Sequence, residues 1–280
     1  MSLFQNRKLL IATKHQKERV IAPILERALG VICFVDETYD TDVLGTFTGE
    51  IEREHDPITT VREKCLQAMK KNNCDLGIAS EGSFGPHPSL YFMHADDEFL
   101  IFIDSKNNIE VIVRELSTDT NFNGKHIQSE EELLAFAEQI GFPTHGIILR
   151  SDKNENTNLY KGITDVETLK KLFNQIYLKS QSAYVETDMR AMYNPTRMSV
   201  IEQATLKLAA KINLCCPECH MPGFGVTEVR EGLECSVCDF PTHATLSYIY
   251  VCQHCQFTKE ELYPHQKTKE DPMYCDYCNP

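Results

Sequence analysis

Apolar and polar residues along the first part of the chain predict a strand, a helix and a second strand in that order. The run KLLIAT (8–13) is apolar enough for a buried strand. Residues 17–30 place apolar side chains at helical spacing and end at a glycine, which predicts a helix. The apolar run VICFVD (31–36) predicts another buried strand. A strand, helix and strand in this order favour a parallel pair with a crossover helix, so the predicted fold class is α/β.

Similar patterns continue to residue 214 and extend the same domain. They predict helices over 57–71, 129–141, 165–180 and 195–214 and strands over 74–80, 98–105, 109–116, 145–150 and 182–189. Only three residues separate the strands 98–105 and 109–116, which favours an antiparallel hairpin. We therefore expect a mixed, mostly parallel sheet flanked by helices in a domain of residues 1–214.

The C-terminal segment, residues 215–280, has a different pattern because it holds nine of the 12 cysteines. Eight of them form four CxxC pairs: Cys216/Cys219, Cys235/Cys238, Cys252/Cys255 and Cys275/Cys278. Two such pairs supply four thiolates in a tetrahedral shell around zinc, and such a shell leaves no position open for water. The segment is therefore predicted to be a double zinc ribbon with two structural zinc ions.

The order in which the four pairs close around zinc stays open. Fifteen residues separate Cys219 from Cys235 and 19 separate Cys255 from Cys275, and both distances are usual for ribbons. We therefore favour two consecutive ribbons. The alternative is a cross-braced arrangement in which the first CxxC pair joins the third.

The charge of the chain limits its expected partners. The net charge is −13, and residues 215–280 hold ten acidic residues against four basic ones, a net charge of −6. Four thiolates on a divalent ion make each site more negative, so the segment is a poor surface for nucleic acid. The chain shows no apolar run of about 18 residues and no secretory signal, so we expect a cytoplasmic protein that does not enter a membrane.

Polar clusters follow several predicted strands, where open α/β sheets bind ligands. The turn 13–17 offers Thr13, Lys14 and Lys17 beside a helix N-terminus, a suitable place for phosphate oxygens. The segment GTFTGE ends in Glu50, which offers a carboxylate. The alternative for that segment is a flexible loop that has no functional role.

Two further clusters have the same character. The segment 75–89 is expected to be a functional loop after its strand and contains Glu81, Gly82 and Ser83. Its carboxylate suits Mg²⁺ or Mn²⁺, and its glycines let the backbone approach a ligand. The segment 186–198 contains Asp188, Arg190, Asn194 and Arg197. Its arginines can each grip a phosphate, while its acids can bind metal or act as a base. The alternative is an internal salt-bridge network before the last helix.

Four segments, ATKHQKE, GTFTGE, VREKCLQA and DLGIASEG, resemble in order the opening of the inosine/xanthosine triphosphate pyrophosphatase superfamily, which includes Maf-like proteins. The resemblance covers residues 8–86. It implies a phosphate-binding turn at Thr13 and Lys17, an acidic metal or base position at Glu50, a helix cation at Lys64 and an acidic glycine loop at Glu81 and Gly82. The whole chain, including ETDMRAMYNPTRM, the paired ribbons and YCDYCNP, is similar to an uncharacterised bacterial family known as a domain of unknown function. That similarity implies no activity.

Our leading hypothesis is a metal-dependent phosphohydrolase that acts on a nucleotide or another phosphorylated small molecule. Glu50, Glu81 and Asp188 would bind Mg²⁺ or Mn²⁺, the lysines of the turn would hold phosphates, and the two arginines of 186–198 would offset developing charge. The alternative is a non-enzymatic α/β domain that senses an anion and whose acidic ribbons dock a protein partner.

Overall fold

The computed structural model describes residues 3–38, 56–153, 155 and 158–280. The chain divides into two compact units. The first comprises Met1–Lys106 and Ile112–Ala209, and the second comprises Asn107–Val111 and Ala210–Pro280.

The described residues form the predicted helices and strands at close to the predicted positions. The helices are α1 (Glu18–Leu29), α2 (Pro57–Lys71), α3 (Glu130–Ile140), α4 (Val166–Ser180) and α5 (Pro195–Asn213). The strands are β1 (Lys8–Ala12), β2 (Ile32–Phe34), β3 (Leu76–Pro86), β4 (His94–Asp104), β5 (Ile109–Ser117), β6 (Gly124–Ile127), β7 (Ile147–Arg150), β8 (Tyr160–Ile163), β9 (Ala183–Thr187), β10 (Val226–Glu231), β11 (Thr245–Val251) and β12 (Thr258–Leu262). Of these, strands β6, β8, β10, β11 and β12 were not predicted.

The first sheet has the strand order β2-β1-β3-β4-β5. Strand β1 runs parallel to both β2 and β3, so the predicted crossover unit is confirmed. Helix α1 buries Ile21, Leu25 and Leu29 and ends at Gly30, whose φ of 71° is left-handed and suits glycine. Strands β3 and β4 are antiparallel, which confirms that the sheet is mixed.

A second sheet has the order β6-β9-β7-β8, and its paired strands are antiparallel. Its apolar core is shared with α3 and α4, and includes Phe136, Leu149 and Phe173. The predicted α/β class with flanking helices is confirmed, but the later strands do not extend the first sheet. Periodicity identifies a strand without identifying its partner. Among the described strands, parallel pairing is seen between β1 and β2 and between β1 and β3.

Strand β3 is longer than predicted, and the expected loop from Glu81 onward is wrong. The strand continues to Pro86 and pairs with β4 from Leu76↔Asp104 to Pro86↔His94. Glycine and proline disfavour a strand locally, but a long antiparallel partner satisfies the backbone here. The candidates Glu81, Gly82 and Ser83 therefore project from a rigid strand.

The second unit contains a three-stranded antiparallel sheet with the order β10-β11-β12. The rings of Phe224 and Tyr250 stack with centroids 5.6 Å apart, and Phe257 packs beside them. In the part of the chain that the structure describes, the helices are too short or too polar to cross a membrane.

Candidate functional site

Two groups of four cysteines form in the second unit, and in each group the four sulfur atoms lie within 4.8 Å of one another. One group is Cys216, Cys219, Cys252 and Cys255, and the other is Cys235, Cys238, Cys275 and Cys278. Sulfur separations are 3.5 and 3.7 Å in the first group and 3.6 and 3.9 Å in the second. A tetrahedron with zinc–sulfur bonds of about 2.3 Å has edges of about 3.8 Å. Both groups can therefore hold a metal ion, and their geometry is consistent with zinc.

The sequential pairing that we favoured is wrong, because the first CxxC pair joins the third and the second joins the fourth. The two groups are cross-braced. Sequence spacing could not decide this, because each knuckle is built locally while the choice of partner knuckle depends on how the strands between them fold.

The knuckles share one backbone design. The N–H of the first cysteine donates to a carbonyl five residues later in three of them, namely Cys216, Cys235 and Cys252, at 2.9 Å each. The residue after the second cysteine is left-handed in the same three, with φ of 59° at His220, 58° at Asp239 and 61° at Gln256. Repetition of this turn with non-glycine residues indicates that the fold holds these three cysteine pairs in a ligand position.

Backbone N–H groups also favour the thiolate form in these knuckles. Hydrogen bonds from the backbone of Cys238 and Val237 lower the pKa of Cys235 to about 7. The Val237 N–H donates to the Cys235 sulfur at 3.4 Å. Metal binding requires a thiolate, so this local geometry favours the ligand form of the thiol.

A second candidate site lies in the first unit, where the first part of the chain brings two lysines to strand β3. The Lys17 ammonium donates to the Ser80 hydroxyl at 2.8 Å, and both side chains are buried. Lys64 from α2 donates to the backbone carbonyl of Ser80 at 3.2 Å and forms an ion pair with Glu81. Burial, followed by the charge of Arg197, lowers the pKa of Lys17 to about 7. At neutral pH this amine therefore exchanges readily between charged and neutral forms.

Arg197, at the start of α5, lies fully buried against strand β4. Its guanidinium donates to the Glu98 carboxylate at 2.6 Å and to the carbonyl of Met189 at 2.6 Å. The side chain of Asn194 accepts the N–H of Arg197 at 3.0 Å and so caps this end of the helix. The guanidinium also lies over the ring of Phe84, 5.0 Å from its centroid. These contacts fix a buried arginine in one position.

Gly82 is required by this arrangement. It pairs with Glu98 across the two strands, and a Cβ at residue 82 would lie 2.2 Å from the Glu98 carboxylate and 2.7 Å from Arg197. Any side chain at this position would displace the buried ion pair. The glycine thus allows Glu98 and Arg197 to pack closely against β3. Its role is not to give a loop conformational freedom.

Asp96 is fully buried two residues before Glu98, and neither of its oxygens has a hydrogen-bond partner among the described residues. Burial, followed by the charge of Glu98, raises its pKa to about 8, although Arg197 and Lys17 oppose this shift. Asp96 therefore holds a proton at neutral pH. The first unit thus contains a buried acid and a buried base that both titrate close to neutrality.

The candidates Asp188 and Arg190 belong to a different group of contacts. The Arg190 guanidinium donates to the Asp188 carboxylate at 3.0 and 2.6 Å. The guanidinium carbon, Cζ of Arg190, lies 4.7 Å from the centroid of the Tyr193 ring. The same carboxylate accepts the N–H of Gly162 at 2.9 Å. This network agrees with the salt-bridge alternative for the segment 186–198.

The structure thus brings together part of the predicted site. Lys17, Lys64 and Glu81 surround Ser80, and Arg197 and Gly82 meet at Glu98. Thr13 is buried and Lys14 is exposed in the turn before α1. Ser83 is half-buried farther along β3, and Glu50 lies outside the described residues.

Ser80, Asp96 and Glu98 were not predicted as site residues from the sequence. The stretch HADDEF carried a usable signal, because Asp96 and Glu98 alternate along what became a strand and therefore share a face. Acids at such positions are normally taken as solvent-facing. Only the tertiary structure buries both of them and pairs Glu98 with Arg197 of α5.

Among the described residues, the cysteine groups are the clusters that gather three or more potential metal ligands within 4.8 Å. Glu81 and Asp188 do not gather in this way. The predicted Mg²⁺ or Mn²⁺ site is therefore unsupported in this part of the chain.

The comparisons with known proteins support the family assignment and leave the activity open. A family model described as a domain of unknown function (DUF6671) matches residues 64–280, whereas the comparison with curated proteins found no match. The match does not include residues 8–63, which carry most of the resemblance to the pyrophosphatase superfamily, so that resemblance stays a prediction. Because the model spans more than half of the sequence, including both cysteine groups, the chain belongs to the family described as domain of unknown function DUF6671.

Proposed function

We propose that the α/β unit binds a phosphorylated small molecule, with nucleotides as the first candidates, beside Lys17, Lys64 and Arg197. The observation that carries this proposal is the chemical environment of Lys17. Its ammonium is buried and donates to a neutral hydroxyl, whereas Lys64 and Arg197 are each bonded to a carboxylate. A bound anion would favour the charged form of Lys17, so binding near neutral pH should draw one proton into the protein.

The position of the lysine supports the same ligand class. Lys17 directly precedes α1, at the carboxyl end of β1, where parallel strands and a crossover helix form the usual ligand crevice of α/β folds. Phosphate oxygens accept hydrogen bonds from ammonium groups and from free N–H groups of a helix N-terminus.

Binding can be tested with a panel of nucleoside mono-, di- and triphosphates and sugar phosphates. We expect at least one compound to raise the melting temperature of the zinc-loaded protein. Calorimetry in two buffers of different ionisation enthalpy should then reveal proton uptake near pH 7.5. Lys17→Met should abolish the effect, and Lys70→Met, an exposed lysine of α2, should retain it. A panel without any ligand, in protein that is folded by circular dichroism, would refute the proposal.

Hydrolysis of the bound phosphate is a second candidate function, favoured by Asp96. A buried carboxyl group with a pKa of about 8 can donate a proton to a leaving oxygen at neutral pH. A requirement for Mg²⁺ or Mn²⁺ would need ligands beyond Glu81 and Asp188, since Lys64 and Arg190 already bind these carboxylates. Phosphate release with and without each metal, measured on ligands from the panel, tests turnover separately from binding.

We further propose that the ribbons hold two structural zinc ions and dock a basic protein partner. The stacked rings of Phe240 and Tyr277 are 48% and 73% exposed at the second cysteine group, and Val237 beside them is 70% exposed. Exposed apolar groups in a unit of strong negative charge suit a partner segment that combines lysine or arginine with apolar side chains.

Two synthetic peptides provide a direct test of this surface. A lysine- and leucine-rich peptide should bind the zinc-loaded protein in a fluorescence anisotropy titration, and the same peptide with glutamate for lysine should not. Phe240→Ser with Tyr277→Ser should weaken binding without loss of zinc. Equal binding by the double variant would exclude this surface.

A further inference from the structure

Ser80 and Lys17 are joined by a buried hydrogen bond. Ligand binding alone would need the charge of Lys17 but not its contact with a serine hydroxyl. We propose that Ser80 is a nucleophile, that Lys17 is its general base, and that the pair transfers a phosphoryl group from a phosphate ester. This inference rests on the proposed binding of a phosphorylated molecule. It adds a covalent step that needs no further cofactor.

The geometry meets the first requirement of such a pair. The amine nitrogen lies 2.8 Å from the hydroxyl oxygen, within the distance over which a proton passes directly. Ser80 lies on β3 next to the end of β1, since Ala79 pairs with Ala12. The Lys64 ammonium holds the Ser80 carbonyl at 3.2 Å. The nucleophile is thus held by a rigid strand and by a second lysine.

The surroundings meet the second requirement, a base that is neutral at physiological pH. Burial and the positive charges of Arg197 and Lys64 disfavour the ammonium form of Lys17, and the acids Glu98 and Glu81 only partly compensate. The pKa of Lys17 is therefore about 7. Burial thus makes the neutral amine, whose lone pair can accept the serine proton, far more accessible near neutral pH than in an exposed lysine.

The proposed step balances in protons and electrons. The Ser80 oxygen forms a bond to phosphorus as the bond from phosphorus to the leaving oxygen breaks. The serine proton moves to the Lys17 nitrogen, and the resulting ammonium then protonates the leaving alkoxide. Water later attacks the phosphoserine and gives its proton to the neutral amine of Lys17. The bond from phosphorus to the Ser80 oxygen breaks, the ammonium returns the proton to that oxygen, and inorganic phosphate leaves. Lys64 and Arg197 stabilise negative charge on the phosphoryl oxygens throughout.

A purely structural role of the contact between Ser80 and Lys17 predicts a different reactivity of the Ser80 hydroxyl. If Ser80 only satisfies a buried ammonium, its hydroxyl should be as unreactive as that of an ordinary serine. A fluorophosphonate probe separates the two roles, because it forms a stable bond with activated serines. We would treat full-length, zinc-loaded protein with the probe and locate the adduct by peptide mass spectrometry.

We expect one adduct, at Ser80, with a labelling rate that rises with pH and has a midpoint near 7. Ser80→Ala should abolish labelling, and Ser105→Ala, which removes an exposed serine, should leave it unchanged. Lys17→Arg should lower the rate by about 100-fold or more, because arginine keeps a donor and a positive charge but cannot act as a base. Circular dichroism and zinc content would show that each variant is folded.

The outcomes separate the dyad from the binding proposal. Absence of an adduct at Ser80, or equal labelling of wild type and Lys17→Arg, overturns the dyad even if nucleotides still raise the melting temperature. Labelling at Ser80 with the expected lysine dependence supports the dyad even if the ligand panel is negative. In that case the proposed ligand class and the transfer of a phosphoryl group are wrong, whereas the assignment of Ser80 as nucleophile and Lys17 as its base stands.

Discussion

The protonation state of Asp96 gives the strongest quantitative prediction. Its side chain is fully buried and its oxygens lack hydrogen-bond partners among the described residues. Burial and Glu98 raise its pKa to about 8, Asp97 adds to this, and Arg197 and Lys17 oppose it. The unfolded chain releases the same proton with a pKa near 3.9. The substitution Asp96→Asn replaces the protonated acid by a neutral group of the same shape.

The sign and size of the effect follow from proton linkage. Between about pH 4 and pH 8 the folded state binds more protons at this position than the unfolded state. The free energy of unfolding therefore falls as the pH rises through this range. Each pH unit is worth about 1.4 kcal/mol, so wild type should lose roughly 3 to 4 kcal/mol between pH 5 and pH 8 through this group. Asp96→Asn has no titratable group at this position and cannot lose this free energy. Its free energy of unfolding relative to that of wild type should therefore rise by roughly 3 to 4 kcal/mol between pH 5 and pH 8.

Hydrogen exchange of peptides from β3 and β4 is the suitable assay, because the chain has two units and no tryptophan. Zinc would be kept saturating at every pH. Asp165→Asn is the control, since hydrogen bonds from Thr168 lower the pKa of Asp165 below that of an ordinary aspartate. The difference between this control and wild type should stay constant from pH 5 to pH 8. Parallel pH curves for wild type and Asp96→Asn would show that Asp96 is ionised throughout, and would refute the reasoning.

Two other predictions concern the cross-bracing and the buried ion pair. In a colorimetric zinc assay, the double variant Cys216→Ser/Cys252→Ser should release one zinc per chain, because both cysteines belong to one group. The double variant Cys216→Ser/Cys235→Ser should release both zinc ions. Sequential ribbons would instead lose both ions in the first variant and one in the second. Arg197→Met should lower the free energy of unfolding by about 3 to 5 kcal/mol, because it leaves the buried Glu98 carboxylate without its cation. Adding Glu98→Gln should recover a large part of that loss in denaturant titrations, and no recovery would show that packing, not charge, was lost.

Local sequence signals predicted the features that are built locally. Gly30 ends α1 at the predicted position, and Ser129, the first residue of the predicted helix 129–141, caps α3 by accepting the N–H of Glu132 at 3.2 Å. The carboxylate of Glu132 reaches back to the N–H of Gln128 rather than to that of the cap residue. The CxxC pairs belong to the same class, because one knuckle needs only five or six consecutive residues. Such features depend on few neighbours and can be inferred from one sequence.

Features set by distant contacts were beyond these signals. The extension of β3 to Pro86 depends on β4, and the pairing of Cys216 with Cys255 depends on the strands between them. The buried Glu98 is paired with Arg197, which lies 99 residues away in the sequence. The local sequence was compatible with a loop after Ser80, with another partner for the first CxxC pair and with a solvent-exposed Glu98. The candidate site consists mainly of such contacts, which explains why only some of its residues were found.

The buried charges of the first unit favour a ligand over a purely structural role. A buried ion is costly unless it is paired, and two of the buried cations are paired with acids. Lys17 and Asp96 remain, and burial shifts the pKa of each group in the direction that favours its neutral form. Apolar residues in their places would serve a purely structural core at least as well. An anion at Lys17 would reverse this state by drawing a proton from solvent or from Asp96, so binding, local stability and pH should all be coupled through these two groups.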